Sequence, residues 1–324
     1  MIETVTQDNP MGTDGFEFVE FAGPNPAALR GLFERMGFPV VGRHKSRDIT
    51  LHCQGDIIFL VHGEHEGFAA EFAREHGPSA CGMGFRVADA DKAYARSLSL
   101  GAEGDEADDR SLNRPAIRGI GGSRLYLVDR YGPGLKAWMD DYEMLPDRQE
   151  RMTKWGGGLR YIDHLTHNVR YGHMDEWYDF YRRLFNFWET RYFDIKGRLT
   201  GLVSRALASP DGRIMIPINE SEDPKSQINE YIEEYRGEGI QHVALGTSDI
   251  YATVDKLSAN GLEFQFTPDT YYEKVDERVA GHEEKVEELR RRRILIDGSR
   301  KDGFLLQIFT KNVIGPIFFE IIQR

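Results

Sequence analysis

The sequence predicts an α+β protein built from tandem βαβββ modules in two domains. With 324 residues, the chain exceeds the usual size of a single domain. Residues 15–44 run from a short alternating strand through an amphipathic helix into a second strand, and residues 160–193 repeat that order. Two further pairs of segments match in the same order, so the sequence indicates an internal duplication.

The further pairs are residues 82–103 with 240–263 and residues 121–132 with 301–312. On this basis residues 1–150 form an N-terminal domain and residues 151–324 a C-terminal domain, with a polar linker at 140–158. When the halves are compared, His164 lies opposite Phe18 and His242 lies opposite Gly84. The N-terminal domain is therefore predicted to be structural and metal-free, and the C-terminal domain to be functional.

The composition argues against several classes of function. A net charge of −12 disfavours binding to nucleic acid, and the one basic run, at 290–293, is interpreted as a solvated helix end. No window approaches the roughly 20 apolar residues that span a bilayer, and the first residues lack the pattern of a secretory signal. Cys53 and Cys81 are too few for a disulfide framework or a thiolate metal site, so a cytoplasmic location is expected.

His164 and His167 lie three residues apart in a segment that reads as a strand. Successive side chains of a strand alternate between faces, so the two rings point to opposite sides and cannot share one ion. In a helix the pair would share a face, but glycines precede this segment and the helical pattern begins only near Met174. His164 is therefore the candidate ligand and His167 its structural neighbour.

His242 and Glu320 are the other candidate ligands. A single histidine on an apolar strand is more often a core or surface residue, but the place of His242 at the start of a repeat unit favours a ligand. Glu320 has apolar neighbours on both sides, and burying such a carboxylate without a cation is costly. The alternative is a solvent-exposed face; because Phe318 and Ile322 share the face of Glu320, a buried functional carboxylate is favoured.

Two histidines and one carboxylate form the ligand set of non-haem Fe(II) oxygenases, which leaves up to three positions open for substrate and O₂. Successive ligands here are 78 residues apart, a separation that suits successive modules of a barrel. A zinc hydrolase would more often show a local pair such as HExxH, which this sequence lacks.

The chain resembles the 4-hydroxyphenylpyruvate dioxygenase family of the vicinal-oxygen-chelate superfamily. The resemblance rests on IDHLTHNV, MIPINE, KSQINEY, GIQHVAL, GLEF, TYY, LLQIFTK and FFEIIQR, in family order from about residue 160 to 324. It implies two open-barrel domains of mixed sheet with helices outside and a metal site in the C-terminal barrel. It also implies Fe(II) as the cofactor, held by His164, His242 and Glu320.

The resemblance further implies which residues contact the substrate. They are polar or aromatic, with one proline that shapes a strand, and comprise Ser204, Pro217, Asn219, Gln227, Gln241, Gln307, Phe309 and Phe318. For Ser204, Gln227 and Gln307, an ordinary surface hydrogen bond is an equal alternative. Regular strand parity turns Gln241 away from the face of His242, so either a bulge intervenes or Gln241 acts by supporting the histidine.

By resemblance, the enzyme converts 4-hydroxyphenylpyruvate and O₂ to homogentisate and CO₂ in tyrosine and phenylalanine catabolism. The alternatives are a 4-hydroxymandelate synthase, an extradiol-type dioxygenase or a metal-free binding module. A homodimer or homotetramer is expected. In the family a segment with Gly and Phe and a closing helix follow the third ligand; this sequence ends at Arg324, so the residues of that segment are expected to have no counterpart in it.

Overall fold

Two eight-stranded mixed sheets flanked by helices form the protein in the computed structural model, which describes residues 5–132, 134, 136–196, 201–301 and 303–324. The predicted α+β class with two open barrels of mixed sheet is confirmed. Among the described residues, no helix is long and apolar enough to cross a membrane.

The first sheet contains eight strands and is accompanied, among the described residues, by four α-helices and the short 3₁₀ helix Ile120–Gly122. Its elements are β1 (Phe16–Ala22), α1 (Pro26–Arg35), β2 (Val40–His44), β3 (Ile49–Gln54), β4 (Ile57–His62), α2 (Phe68–His76), β5 (Ser79–Arg86), α3 (Ala90–Ser99), β6 (Ala116–Arg118), β7 (Arg124–Val128), β8 (Tyr142–Met144) and α4 (Arg148–Trp155). The strand order is β6-β7-β5-β1-β4-β3-β2-β8. Because β8 and α4 lie within the predicted linker at 140–158, that stretch is structured; the division at residue 150 stays a prediction.

The second sheet also contains eight strands. Its elements are β9 (Leu159–Asn168), α5 (Met174–Phe185), β10 (Trp188–Lys196), β11 (Gly201–Ala208), β12 (Met215–Glu220), α6 (Gln227–Tyr235), β13 (Gly239–Thr247), α7 (Ile250–Ala259), α8 (Asp269–Tyr272), α9 (Val275–Arg278), α10 (Val286–Arg292), β14 (Leu295–Ser299), β15 (Gly303–Phe309) and β16 (Phe318–Gln323). The strand order is β10-β11-β12-β9-β13-β16-β15-β14. The basic run at 290–293 ends α10, where Arg292 pairs with Asp255 and Glu288.

The helices that follow β5 and β13 begin at equivalent aspartates. Asp89 caps α3 and Asp249 caps α7, each by accepting a backbone hydrogen bond from the first turn. An N-cap carboxylate satisfies an N–H group that has no partner within the helix, which explains why both helices start there. Since the two caps correspond, the counterpart of His242 is Gly82, and the predicted match with Gly84 was two residues out of register.

The strand pairing shows the same arrangement in both halves. β1 lies between a parallel neighbour, β4, and an antiparallel neighbour, β5, and β9 lies in the same way between β12 and β13. β7 runs parallel to β5 as β16 runs parallel to β13, so β7 and β16 correspond. The predicted match of residues 121–132 with 301–312 is therefore wrong by one strand, because β15 and β16 are both short apolar runs. The N-terminal counterpart of β14 is reduced to one bridge at Gly104.

A backbone bulge interrupts each central strand at equivalent positions. Shifts of register leave Glu17 in β1, Cys81 in β5, Asp163 in β9 and Gln241 in β13 without an opposite residue. A bulge adds one residue to a strand and turns its side chain out of the regular alternation. Each bulged residue directly precedes a predicted histidine ligand or its N-terminal counterpart.

Phe319 of β16 joins the two halves of the chain. Its ring centroid lies 6.2 Å from those of Phe21 and Phe33 and 5.8 Å from that of Phe59, all of which are buried N-terminal rings. Its neighbour Glu320 points to the opposite face of the sheet because side chains alternate along a strand. The contact between the halves therefore helps to position the strand that carries Glu320.

We predict that Phe319→Ala lowers the free energy of unfolding by about 3–5 kcal/mol, because it opens a cavity in this aromatic cluster. Urea denaturation measures the change. Phe266→Ala is the matched control, since the Phe266 side chain is 73% exposed. Its loss, including the contact of Arg293 with its ring, should change stability by no more than about 1 kcal/mol. Equal effects of the two substitutions would contradict the proposed role of Phe319 in joining the halves.

Candidate metal centre

Three neighbouring strands bring His164, His242 and Glu320 together. Ala244 of β13 lies opposite both His164 of β9 and Glu320 of β16, and His242 lies two residues earlier on the same face. The methyl group of Ala244 is small enough to leave the space between the flanking side chains open. The cluster is therefore assembled by backbone pairing between strands that are distant in sequence.

The three side chains converge on one point. His164 Nε2 lies 3.3 Å from His242 Nε2 and 3.2 Å from Glu320 Oε2, and His242 Nε2 lies 3.7 Å from Glu320 Oε2. A point about 2.1 Å from all three atoms exists, which is the length of a metal–nitrogen or metal–oxygen bond. The Glu320 side chain is only 5% exposed, so the alternative of a solvent-exposed carboxylate is wrong. Two imidazoles and one carboxylate can hold a divalent metal ion with open positions.

The electrostatics of the cluster favour one proton on His164, close to the position that a cation would take. Burial alone lowers the pKa of His164, but hydrogen bonds with Asp163 and Glu320 outweigh it and raise that pKa to about 9. Burial, together with the neighbouring His164, lowers the pKa of His242 well below its usual value. His164 therefore carries the shared proton at neutral pH and donates it towards Glu320. A metal ion entering the cluster would displace this proton.

The bulged residues hold the outer nitrogen of each histidine. Asp163 Oδ1 accepts a hydrogen bond from His164 Nδ1 at 2.8 Å, and Gln241 Oε1 accepts one from His242 Nδ1 at 2.6 Å. Both Nε2 atoms consequently face the cluster. Gln241 was predicted either to lie at a bulge or to support His242. The structure shows both, because the bulge turns the Gln241 side chain and that side chain contacts His242.

His167 lies on the opposite face of β9, as strand parity predicts. It is fully buried, and its Nε2 lies 2.7 Å from the hydroxyl oxygen of Tyr181 on α5. Burial lowers the pKa of His167 to about 3, so the ring is uncharged at neutral pH. His167 is therefore part of the core between β9 and α5 and does not reach the cluster.

A cavity of about 350 Å³ opens beside the cluster. Four of the predicted substrate residues line it: Gln227, Gln241, Phe309 and Phe318. The Phe318 ring stacks on His242 with 4.8 Å between centroids, and Phe309 meets Phe318 edge-on at 5.8 Å. The lining residues that the sequence did not single out are Glu230, Tyr231, Glu234, Gln265, Asn312 and Pro316.

The other four predicted contacts, Ser204, Pro217, Asn219 and Gln307, do not line this cavity. They lie on β11, β12 and β15, on either side of the three strands that carry the cluster. Residues opposite each other in a sheet project to the same side, and the pairing puts these four on the face of the cluster. These four residues therefore share the sheet face of the cluster without lining the cavity.

Three residues near the cluster were not predicted: Asp163, Thr166 and Arg324. Thr166 Oγ1 lies 2.9 Å from His242 Nε2, and its place two residues after His164 was a signal that the two share a face. Arg324 donates two hydrogen bonds of 2.9 Å to the carboxylate of Asp163. The sequence did not predict the pair of Asp163 and Arg324, because the bulge that turns Asp163 towards His164 and Arg324 does not change the hydrophobic pattern.

The N-terminal half fills the equivalent space with apolar groups. By strand pairing, the counterparts of the three cluster residues are Phe18, Gly82 and Tyr126. The Phe18 ring centroid lies 5.1 Å from those of Tyr126 and Trp138, and all three rings are buried. None of these positions carries a metal ligand, so this half has kept the sheet without the cluster.

Glu20, His62 and Cys81 form a different group of ligand-type side chains in the N-terminal half. All three are buried, and their ligand atoms lie within 4.8 Å of one another. The Glu20 carboxylate accepts hydrogen bonds from the Ser111 hydroxyl and from His62 Nε2. Both bonds go to Oε2, whereas the buried Oε1 has no hydrogen-bond partner among the described residues; we interpret the group as a hydrogen-bond network with one unpaired carboxylate oxygen. A metal-free N-terminal half stays a prediction.

Known proteins that resemble this chain identify its family. Residues 7–143 match the model for hydroxyphenylpyruvate dioxygenase, HPPD, N-terminal, and residues 161–276 match the glyoxalase/bleomycin resistance protein/dioxygenase superfamily. A protein of Pseudomonas aeruginosa named 4-hydroxyphenylpyruvate dioxygenase is 56% identical over 329 residues, which cover 100% of this chain and 91% of that protein. The chain belongs to the 4-hydroxyphenylpyruvate dioxygenase family.

Two solved structures share the fold of this 4-hydroxyphenylpyruvate dioxygenase family member. A xylose isomerase-like TIM barrel/4-hydroxyphenylpyruvate dioxygenase fusion protein has a TM-score of 0.82 and 31% identity; the match covers 97% of this chain and 50% of the fusion. A triple mutant of 4-hydroxymandelate synthase from Streptomyces coelicolor has a TM-score of 0.80 and 24% identity, covering 96% and 93% of the two chains, and shows the fold alone. The predicted family is confirmed, and the chain is a metal-dependent dioxygenase of the glyoxalase type.

We predict that Tyr181→Phe lowers the free energy of unfolding by about 1–3 kcal/mol, because it leaves the buried His167 Nε2 without its partner. Bound metal per chain should stay unchanged, because His167 and Tyr181 lie on the face of β9 away from the cluster. Urea denaturation and elemental analysis measure the two quantities. Loss of metal from this variant would contradict the assignment of His167 to the core.

Proposed function

We propose that this chain is an Fe(II)-dependent dioxygenase that converts 4-hydroxyphenylpyruvate and O₂ to homogentisate and CO₂. The observation that carries the proposal is the 56% identity over the full chain with the 4-hydroxyphenylpyruvate dioxygenase of P. aeruginosa. The reaction would serve tyrosine and phenylalanine catabolism. Residues 151–324 would provide catalysis, and residues 1–150 would support them.

We propose His164, His242 and Glu320 as the iron ligands. Their three converging atoms allow a common bond length, and two imidazoles with one carboxylate are typical of non-haem Fe(II) sites. The outer nitrogen of each imidazole is already engaged, which directs both inner nitrogens into the cluster. Fe(II), when bound, supplies the binding position for the keto acid and the activation of O₂.

The cavity beside the cluster suits a small aromatic 2-oxo acid. Its volume of about 350 Å³ falls within the roughly 300–1,000 Å³ of ligand pockets. Phe309 and Phe318 would pack on the substrate ring, and the amides of Gln227 and Gln241 would bind its polar groups. We propose the remaining predicted contacts, on the same face, as further parts of the binding surface: Ser204, Pro217, Asn219 and Gln307.

The chain itself contributes orientation and exclusion of water. Stacking of Phe318 on His242 fixes the ligand ring and places an apolar wall next to the cluster. Such a wall keeps water from a reactive oxidising centre. The substrate's own keto acid is oxidatively decarboxylated and supplies electrons for O₂ reduction. The reaction therefore needs no separate reductant, and the hydroxylated ring with its migrated side chain leaves as homogentisate.

Assembly and location remain expectations. We expect a homodimer or homotetramer in the cytoplasm. Its partners would be the aromatic 2-oxo acid and O₂, with neither nucleic acid nor a membrane involved. Size-exclusion chromatography with light scattering tests the assembly.

The function predicts a definite product. Protein loaded with Fe(II) under anaerobic conditions and then given 4-hydroxyphenylpyruvate and O₂ should release one CO₂ and one homogentisate per O₂ consumed. Chromatography of the product and measurement of CO₂ check this. 4-Hydroxymandelate as the product would identify the synthase instead. Consumption of a catechol without CO₂ would indicate an extradiol enzyme, and absence of bound iron would indicate a binding module.

We predict that Glu320→Ala loses both bound iron and turnover, because it removes the only anionic group of the proposed ligand set. His167→Ala is the matched control. It removes a histidine from the same strand, β9, but from the opposite face, so about one iron per chain should remain. Iron analysis of both purified variants gives the answer. Equal iron loss in the two variants would contradict the assignment of the faces.

A further inference from the structure

The backbone of β9 presents two successive side chains to the cluster. His164 points its Nε2 inwards, and the bulge at Asp163 turns the preceding carboxylate towards Nδ1 of the same ring. A carboxylate accepts hydrogen bonds and does not donate them, so His164 Nδ1 must carry the hydrogen. The Asp163 side chain is 3% exposed, so little water competes for this bond.

Arg324 holds that carboxylate in place from the end of β16. Its Nε and Nη2 donate to the two oxygens of Asp163, each at 2.9 Å. Paired bonds of this kind fix the plane of the carboxylate as well as its position. β9 and β16 are separated by β13 in the sheet, so the pair connects the strand of His164 to the strand of Glu320.

We propose that Asp163, anchored by Arg324, is a positioning residue that sets the tautomer and the ring orientation of His164 for metal binding. The inference rests on the proposed function in that it takes His164 as an iron ligand. With Nδ1–H held by Asp163, the Nε2 lone pair faces the metal position, and the ring cannot rotate away. Partners of this kind contribute to metal affinity even though they do not touch the ion.

The N-terminal half supports this division of roles. Glu17 occupies the equivalent bulge in β1, directly before Phe18. Its carboxylate binds Arg86 at 2.6 Å and the indole N–H of Trp138 at 2.8 Å. The bulge and its carboxylate therefore exist in both halves, but only in the C-terminal half does a histidine follow. Glu17 is a matched control, because it offers the same backbone feature and a buried carboxylate without a ligand to support.

Asp163→Asn tests the polarity of the contact without changing its shape. Three N–H groups meet this carboxylate: His164 Nδ1 and Arg324 Nη2 at Oδ1, and Arg324 Nε at Oδ2. Asn has only one oxygen, so its NH₂ opposes Arg324 Nε in one orientation, and Arg324 Nη2 together with His164 Nδ1 in the other. In either orientation the substitution removes the negative charge and loosens the hydrogen bonds that orient the His164 ring. Arg324→Gln removes the anchor instead, at a side chain that is half exposed and leaves no cavity.

The experiment measures Co(II) affinity of the full chain by competition with a fluorescent chelator, together with the thermal unfolding midpoint of the metal-free protein. We expect Asp163→Asn to bind Co(II) about 10–100-fold more weakly than the unmodified chain. Arg324→Gln should shift the affinity in the same direction by a smaller factor. In the double variant, Arg324→Gln should lower the Co(II) affinity by less than about a further twofold relative to Asp163→Asn alone, because Arg324 acts through Asp163. Glu17→Gln should leave the affinity unchanged.

Three results would overturn the inference. The first is a Co(II) affinity of folded Asp163→Asn within about threefold of the unmodified chain, against the expected range for such partners. The second is an equal loss of affinity in Glu17→Gln, which would indicate a general effect on stability. The third is failure of the unmodified chain to bind Co(II). The proposed function fails separately, if the iron-loaded chain forms no homogentisate while the affinities still follow the expected order.

Discussion

The hydrogen-bonded register of β9, β13 and β16 is the constraint on which the site depends. It sets His164 and Glu320 on either side of Ala244 and places His242 two residues away, so three residues spaced 78 apart converge within 3.7 Å. A slip of one residue in either pairing would turn one of the three cluster side chains to the opposite face. The same alternation that points Glu320 inwards points Phe319 outwards into the N-terminal aromatic cluster. The two faces of β16 therefore make different contacts: Phe319 on one face packs against the N-terminal half, and Glu320 on the other belongs to the cluster.

The duplication explains why one half can support the other. Both sheets keep the same strand pairing and the same bulges, but the N-terminal half has Phe18, Gly82 and Tyr126 where the C-terminal half has the cluster. Aromatic rings fill that space and add apolar burial, which stabilises the sheet. A polar cluster in the same position costs desolvation, and neighbouring packing must offset it. The N-terminal half thus fills with aromatic rings the position in which the C-terminal half has the cluster.

Periodicity and repeat comparison were enough to predict the fold class, the separation of His164 from His167 and the burial of Glu320. Each of these follows from the alternation of side chains along a strand, which sequence displays directly. The comparison went wrong by two residues at His242 and by one strand at β15, because apolar strands resemble each other. Asp163 and Arg324 were missed for a related reason. A bulge changes which way a side chain points without changing the hydrophobic pattern, and only the paired strand reveals it.

The bulge before His242 places the Gln241 side chain between that histidine and the cavity. Gln241 lines the cavity and also accepts the hydrogen bond of His242 Nδ1. Its amide oxygen is occupied by the histidine, so its NH₂ is the group left to meet a substrate. A substrate that draws this amide towards itself would act on the His242 ring through a single residue. Asp163 does not line this cavity, so the two bulged residues differ: Asp163 is held by its ion pair with Arg324, whereas Gln241 contacts both its histidine and the cavity.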